Sequence, residues 1–116
     1  MTEFDDASLD VTTQQAAEAL ADGSAQLIDV REQHEWDAGH IEGARHIPLG
    51  RLQAEAATID PDQPILFQCK TGGRSTMAAQ AFRASGFRAF NVVGGLEQWV
   101  AEDRPITPED GHVAQH

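Results

Sequence analysis

The sequence has only one cysteine and no long apolar run. Cys69 is the only cysteine among 116 residues, so the chain can form neither an internal disulfide nor a metal site built from several thiolates. A lone thiol suits a reducing compartment, and we therefore expect a cytoplasmic protein. No stretch approaches the roughly 20 apolar residues that a membrane span requires. The acidic start of the sequence is also unlike a secretion signal, which would be basic and then apolar.

Basic residues are scarce as well. Eight lysines and arginines stand against 19 aspartates and glutamates, which gives a formal net charge of -11. This negative charge repels nucleic acids and anionic membranes, so we expect neither as a partner. The only lysine, Lys70, directly follows Cys69. If the fold places Lys70 and Arg74 beside Cys69, this acidic protein acquires a local positive site that suits a thiolate and an anionic substrate.

The length and the apolar pattern predict a single α/β domain. A chain of 116 residues with 41% hydrophobic residues suits one modest core. Short apolar runs predict strands at residues 26–30, 46–47, 64–68 and 89–93, and the segments between them predict helices at residues 12–23, 32–38, 51–58, 74–85 and 96–101. This alternation favours a mainly parallel sheet that is open to ligands at the carboxyl ends of its strands. Residues 106–116 are polar, and we predict a disordered tail there.

The segment from Cys69 to Ser75 carries the clearest chemical signal. It lies where a predicted buried strand ends and a predicted helix begins, and there free backbone N–H groups and the helix dipole favour an anion. Gly72 and Gly73 allow positive φ angles, so successive N–H groups can face one centre and form an anion cradle. A helix N-terminus with nearby cations can lower a cysteine pKa from about 8.5 to between about 3.5 and 7.5. Ser75 could cap the helix, donate its hydroxyl to the sulfur, or do both, and we favour capping together with a sulfur contact.

The same residues also allow a purely structural interpretation. A lone cysteine at the end of an apolar strand is more often buried and inert than reactive, and only the two glycines, the arginine and the serine that follow Cys69 reverse this expectation. Arg74 could contact substrate, or it could pair with an acidic residue beneath the loop. The sequence leaves both roles open.

Four groups of residues are together highly specific for one family. They are Leu27 to Arg31; Glu35-Trp36 with Gly39 to Ala44 and Ile47-Pro48; Cys69 to Ser75; and Val93 to Trp99. In these residues the chain resembles the rhodanese superfamily, and most closely its single-domain thiosulfate sulfurtransferases. The resemblance covers roughly residues 8–105. It implies a single rhodanese-like α/β domain with helices on both faces of a mainly parallel sheet.

The resemblance also assigns roles to the loop. It implies that Cys69 is the catalytic nucleophile and that the loop amides hold a persulfide sulfur. The residues that the resemblance places in the substrate- and persulfide-binding loop are Lys70, Thr71, Gly72, Gly73, Arg74 and Ser75. Superfamily members that handle phosphate or arsenate have one more residue between the cysteine and the arginine, so the shorter loop here favours sulfur.

A second group of residues is implied to support the loop. Asp29 and Arg31 resemble architectural residues of the family, in a buried hydrogen-bonding network that also includes Glu35 and His40. We do not expect His40 to act as a general base, because a preformed thiolate needs none to attack a sulfane sulfur.

The function implied by the resemblance is sulfur transfer through a Cys69 persulfide. The donor is thiosulfate or another persulfide, and the acceptor is cyanide or a thiol. The chain has no second cysteine, so release depends on an external acceptor, such as a small thiol or a thioredoxin-like or sulfur-carrier protein. No cofactor and no metal are expected. Alternatives are a phosphatase or arsenate reductase, a non-catalytic rhodanese-type binding module, and a sulfur relay that does not use thiosulfate.

Overall fold

Strands and helices alternate along the chain, as the sequence predicts. The computed structural model describes residues 2–115, and the elements below are those of this part of the chain. The strands are β1 (Asp10–Val11), β2 (Gln26–Asp29), β3 (Arg45–His46), β4 (Ile65–Gln68) and β5 (Ala89–Val92). The helices are α1 (Thr13–Asp22), α2 (Gln33–Ala38), α3 (Leu52–Glu55), α4 (Gly73–Ala84) and α5 (Gly95–Ala101). Within residues 2–115, none of the helices has the length and apolar character needed to span a bilayer.

The strands form one parallel sheet in the order β1-β5-β4-β2-β3. The central strand β4 pairs with β2 on one side and with β5 on the other. Since the strands are parallel, their carboxyl ends meet at the same edge of the sheet. The segments that follow β2, β4 and β5 therefore come together there, and the segment after β4 begins with Cys69.

Side chains of the central strands alternate between two apolar cores. Ile65 and Phe67 contribute to the core beneath α3 and α4, while Leu66 contributes to the core beneath α1 and α5. A strand that is buried on both faces reads as a continuous apolar run, which is why β4 is visible in the sequence. The prediction of a mainly parallel sheet with helices on both faces is confirmed.

Two elements differ from the prediction. β1 was not predicted, because it has only two residues and one of them, Asp10, is exposed and charged. The predicted helix at residues 51–58 is divided instead: α3 has four residues, and single turns of 3-10 helix, Leu49–Arg51 and Ala56–Thr58, lie on either side of it.

The C-terminal segment, residues 106–115, packs against the domain, although disorder was predicted for this polar stretch. Thr107 and His40 exchange two backbone hydrogen bonds, with N–O distances of 2.7 and 3.0 Å. Ile106 and Val113 pack against the core beneath α1 and α5. Two apolar side chains and a few backbone bonds hold this polar segment, and composition alone does not reveal such contacts. The last residue of the chain lies outside the described residues.

Candidate functional site

Cys69 directly follows β4 and begins the loop that leads into α4. Its side chain is only 1% exposed. Gly72, the N-cap of α4, has a φ of 125°, a conformation that residues with a side chain rarely adopt. This bend brings the Gly72 N–H to 3.1 Å from the Cys69 sulfur. Gly73 does not share the positive φ and is instead the first residue of α4.

Polar groups of the loop favour the thiolate form of Cys69. Burial raises the pKa of the thiol, but the Ser75 hydroxyl, when its hydrogen points at the sulfur, and the backbone N–H groups of Ser75, Gly72 and Thr71 lower it. The net pKa lies below the ordinary value for a cysteine. A larger fraction of Cys69 is therefore available as the nucleophilic thiolate at neutral pH than for a free cysteine.

The start of α5 holds the loop from its other side. The Leu96 N–H donates to the Cys69 carbonyl at 2.8 Å, and the Glu97 N–H donates to the Lys70 carbonyl at 3.0 Å. These bonds satisfy two N–H groups that a helix start leaves free. A Cβ at Gly95 would lie 2.4 Å from the Cys69 carbonyl oxygen. Glycine at this position therefore lets α5 approach the loop closely.

Arg74 forms a two-armed ion pair with Glu35 of α2. Its Nη1 lies 2.7 Å from Glu35 Oε1, and its Nη2 lies 2.9 Å from Glu35 Oε2. Burial raises the pKa of Glu35, but the hydrogen bonds from Arg74 and from the Glu32 backbone lower it, so that the net pKa is below its ordinary value. Of the two roles that the sequence left open for Arg74, the structure shows the pairing with a buried acidic residue.

Asp29 and Arg31 form a second, fully buried pair. The Arg31 Nη2 donates to Asp29 Oδ2 at 2.8 Å and also to the Gly39 carbonyl at 2.9 Å. This connects the end of β2 to the end of α2, the helix that carries Glu35. Through α2, the two residues are connected to Glu35 and its partner Arg74.

Trp36 of α2 stacks with two histidine rings. The His40 ring stacks on it with a centroid distance of 3.6 Å, and the His46 ring lies 4.8 Å away on a nearly parallel plane. His40 Nδ1 is 2.8 Å from the Trp36 carbonyl oxygen, and His46 Nε2 is 2.7 Å from the Arg31 carbonyl oxygen. The His40 side chain thus contacts Trp36 of α2.

Lys70 makes weaker contacts than Arg74. Its Nζ lies 3.8 Å from Glu97 Oε2 and donates to Gln115 Oε1 at 3.2 Å. The Gln115 carbonyl oxygen is in turn 2.8 Å from His34 Nε2 on α2. The C-terminal segment therefore reaches from α2 to the Cys69 loop, an arrangement that the sequence analysis missed.

Ser75 contacts the sulfur but does not cap α4. Its Oγ lies 3.3 Å from the Cys69 sulfur, whereas the cap is Gly72 and lacks a side-chain hydrogen bond. The predicted capping role is wrong because α4 begins before Ser75. The Ser75 hydroxyl donates instead to Asn91 Oδ1 at 2.6 Å, and Asn91 Nδ2 donates to Asp10 Oδ1 at 3.0 Å. The sequence analysis missed both partners, although a polar Asn91 inside an apolar strand was a usable signal.

The parallel sheet and the cysteine loop at its carboxyl edge define the class of protein. Residues 12–102 match the family model described as Rhodanese-like domain. The chain therefore belongs to the rhodanese-like family, and the resemblance seen in the sequence is confirmed. The match leaves out β1 and the C-terminal segment that contacts Lys70.

Three relatives from Bacillus subtilis are similar to this chain. YqhL, which has no assigned function, is 45% identical over 76 residues, or 65% of this chain and 60% of YqhL. YrkF, named as a proposed sulfur carrier protein, is 37% identical over 71% of this chain and 45% of its own length. YtwF, named as a proposed sulfurtransferase, is 38% identical over 73% of this chain and 82% of its own length. The chain thus spans about half the length of the first two relatives.

A solved structure of similar size has the same fold. It is the human single-domain sulfurtransferase TSTD1, with a TM-score of 0.75 and 28% sequence identity. The alignment covers 82% of this chain and 97% of TSTD1.

Proposed function

We propose that the protein is a sulfurtransferase that carries sulfur on Cys69 as a persulfide. The observation that supports this most directly is the position of the Cys69 sulfur at the start of α4, 3.1 Å from the Gly72 N–H. A thiolate held there is an activated nucleophile. The similarity to TSTD1 and YtwF, both named for sulfur transfer, supports the same proposal. Because the reaction needs a reduced thiol, we place the protein in the cytoplasm.

The proposed reaction has two displacement steps. The Cys69 thiolate attacks the outer sulfur of thiosulfate, a new S–S bond forms, and the bond between the two thiosulfate sulfurs breaks as sulfite leaves with its electron pair. Cyanide or a thiolate then attacks the outer sulfur of the persulfide, and the Cys69 thiolate is restored as the S–S bond breaks. Neither step needs a general base when both nucleophiles are already anionic. The backbone amides of the loop would stabilise the outer persulfide sulfur.

The Glu35–Arg74 pair argues against a phosphatase or arsenate reductase. Such enzymes need an arginine whose guanidinium can bind a tetrahedral oxyanion with two hydrogen bonds. Here both Nη atoms of Arg74 already bind Glu35. The four residues between Cys69 and Arg74 also make a shorter loop than the phosphate-handling members have. Hydrolysis of a generic phosphate ester would overturn this assignment.

Steady-state kinetics test the proposal. Thiocyanate formation is measured while thiosulfate and cyanide are varied together, with Cys69→Ser as the control. We expect double-reciprocal plots with parallel lines, because sulfite leaves before cyanide reacts, and we expect no turnover in Cys69→Ser. Intersecting lines would contradict a persulfide intermediate.

A sulfur relay is the second candidate, and the similarity to YrkF favours it. In this role Cys69 receives sulfur from a persulfide rather than from thiosulfate and passes it to a thioredoxin-like or sulfur-carrier protein. Glutathione persulfide tests this role, since it should load Cys69 where thiosulfate fails. If neither donor loads Cys69 with sulfur, a non-catalytic binding module becomes the better interpretation of the protein's function.

A further inference from the structure

A line of hydrogen bonds runs from the Cys69 sulfur to the protein surface at β1. The Ser75 Oγ is 3.3 Å from the sulfur, Asn91 Oδ1 is 2.6 Å from Ser75 Oγ, and Asp10 Oδ1 is 3.0 Å from Asn91 Nδ2. Ser75 and Asn91 are buried, while Asp10 is exposed. The parallel pairing of β1 with β5 places Asp10 beside Asn91. Asp10 precedes the family match at residues 12–102, so it lies in a part of the chain that the family model does not describe.

The donors and acceptors of these groups allow only one direction for the hydrogen bonds between Asp10, Asn91 and Ser75. An ionised carboxylate only accepts hydrogen bonds, so Asp10 requires the NH₂ group of Asn91 and turns the amide oxygen toward Ser75. That oxygen also only accepts, and at 2.6 Å it is a closer acceptor for the single Ser75 hydrogen than the Gly72 carbonyl oxygen at 3.2 Å. Once this hydrogen is used, the Ser75 oxygen can only accept a hydrogen bond from Cys69. Cys69 can donate such a bond only as a neutral thiol, through its S–H.

A thiolate at Cys69 reverses this requirement. It has no hydrogen to donate, so it can bind Ser75 only if the hydroxyl turns away from Asn91 and toward the sulfur. The 2.6 Å distance to Asn91 Oδ1 is short for an O–H···O bond, so turning the hydroxyl toward the sulfur, at 3.3 Å, gives up a close hydrogen bond. The Gly72 N–H, 3.1 Å from the sulfur, is a second donor to a thiolate at this position.

We propose that Asn91, oriented by Asp10, is a positioning residue that competes with the Cys69 sulfur for the Ser75 hydrogen and so restrains the nucleophile. The inference rests on the nucleophilic role of Cys69 in the proposed function. It adds two residues to the site, and one of them lies at the surface.

Alkylation of Cys69 tests the proposal without any sulfur donor. Because Cys69 is the only cysteine, the rate of its reaction with iodoacetamide as a function of pH reports its ionisation alone. In Asn91→Leu the Ser75 hydroxyl keeps only the Gly72 carbonyl oxygen, at 3.2 Å, as a competing acceptor, and it can turn to donate to the thiolate. We expect the midpoint of the profile to move to lower pH and the rate below the midpoint to rise by roughly ten-fold, the lower end of the effect of a hydrogen bond to a charged group.

Two further comparisons separate this role from a merely structural one. In a Ser75→Ala background, Asn91→Leu should leave the midpoint unchanged, because the shared hydrogen is gone. Asp10→Ala should move the midpoint in the same direction as Asn91→Leu, while Asp10→Asn, which still offers Asn91 an acceptor but can also donate, should move it less than Asp10→Ala. Asp10 is exposed, so these two variants should fold even if Asn91→Leu does not.

Three results would overturn the proposal: no shift in the folded Asn91→Leu, no shift in Asp10→Ala, or a shift of equal size in the Ser75→Ala background. Failure to transfer sulfur from thiosulfate would leave the alkylation profiles unaffected. The inference and the proposed function can therefore fail separately.

Discussion

The two cations of the Cys69 loop carry the same charge but occupy different surroundings. Arg74 binds Glu35, whose side chain is 0% exposed, through two hydrogen bonds. Lys70, whose own side chain is 13% exposed, lies 3.8 Å from Glu97, whose side chain is 56% exposed. A cation held by a buried carboxylate is committed to the fold, whereas one near a solvated carboxylate remains available to an anionic substrate. Arg74 should therefore matter for stability and Lys70 for substrate binding.

Removing Arg74 should have the largest effect. Arg74→Ala leaves the Glu35 carboxylate buried without its partner, and we expect the free energy of unfolding to fall by about 3 kcal/mol. Urea unfolding measures the loss, and Lys70→Ala is the matched control, with an expected change below about 1 kcal/mol. Similar losses in the two variants would remove the distinction between the cations.

Acid should weaken the ion pair between Arg74 and Glu35. The pKa of Glu35 is lowered in the folded protein, so the ion pair contributes stability at pH values above the pKa of an unfolded glutamate. This contribution is lost as the pH falls through the lower, folded-state pKa. The difference in unfolding free energy between the parent protein and Glu35→Gln should therefore be largest near neutral pH and shrink in acid. A difference that stays constant in urea titrations across this range would contradict the assignment.

Reversing the charge of Lys70 should affect substrate binding more than folding. Lys70→Glu places a negative charge beside the site of a dianionic donor, and we expect the KM for thiosulfate to rise by roughly three- to ten-fold. The control is Arg88→Glu, which makes the same charge change just before β5, at the opposite edge of the sheet. If both variants bind thiosulfate like the parent, the electrostatic role of Lys70 is wrong, and the nucleophile assignment can still stand.

Releasing Lys70 from the C-terminal segment should have the smallest effect. Gln115→Ala removes the hydrogen bond to the Lys70 ammonium, which frees this cation to approach the donor. We expect the KM for thiosulfate to fall by no more than about two-fold, because an exposed hydrogen bond contributes little. A rise in KM would show that Gln115 holds Lys70 in its useful position.

The parts of the site that the sequence predicted are local in the chain. The Cys69 loop, the strand before it and the helix after it can be read together, because an apolar run, two glycines and an alanine-rich segment follow one another directly. The parallel orientation of the strands was predicted from their alternation with helices. Both predictions depend on neighbours along the chain.

The parts that the sequence did not predict depend on distant contacts. The pairing of Arg74 with Glu35 joins α4 to α2, and the pairing of Asn91 with Asp10 needs β1, which is too short and polar to be recognised. The contact between Lys70 and Gln115 depends on the packing of a polar segment that resembles a disordered tail. Each of these contacts is decided by tertiary packing rather than by local propensity.

The intact mass of the protein after incubation with thiosulfate tests the central claim most directly. We predict a mass gain of one sulfur atom that disappears when cyanide is added, with the release of thiocyanate, and that is absent in Cys69→Ser. No mass gain and no thiocyanate would contradict thiosulfate as the donor. A gain that persists in Cys69→Ser would contradict the persulfide at Cys69.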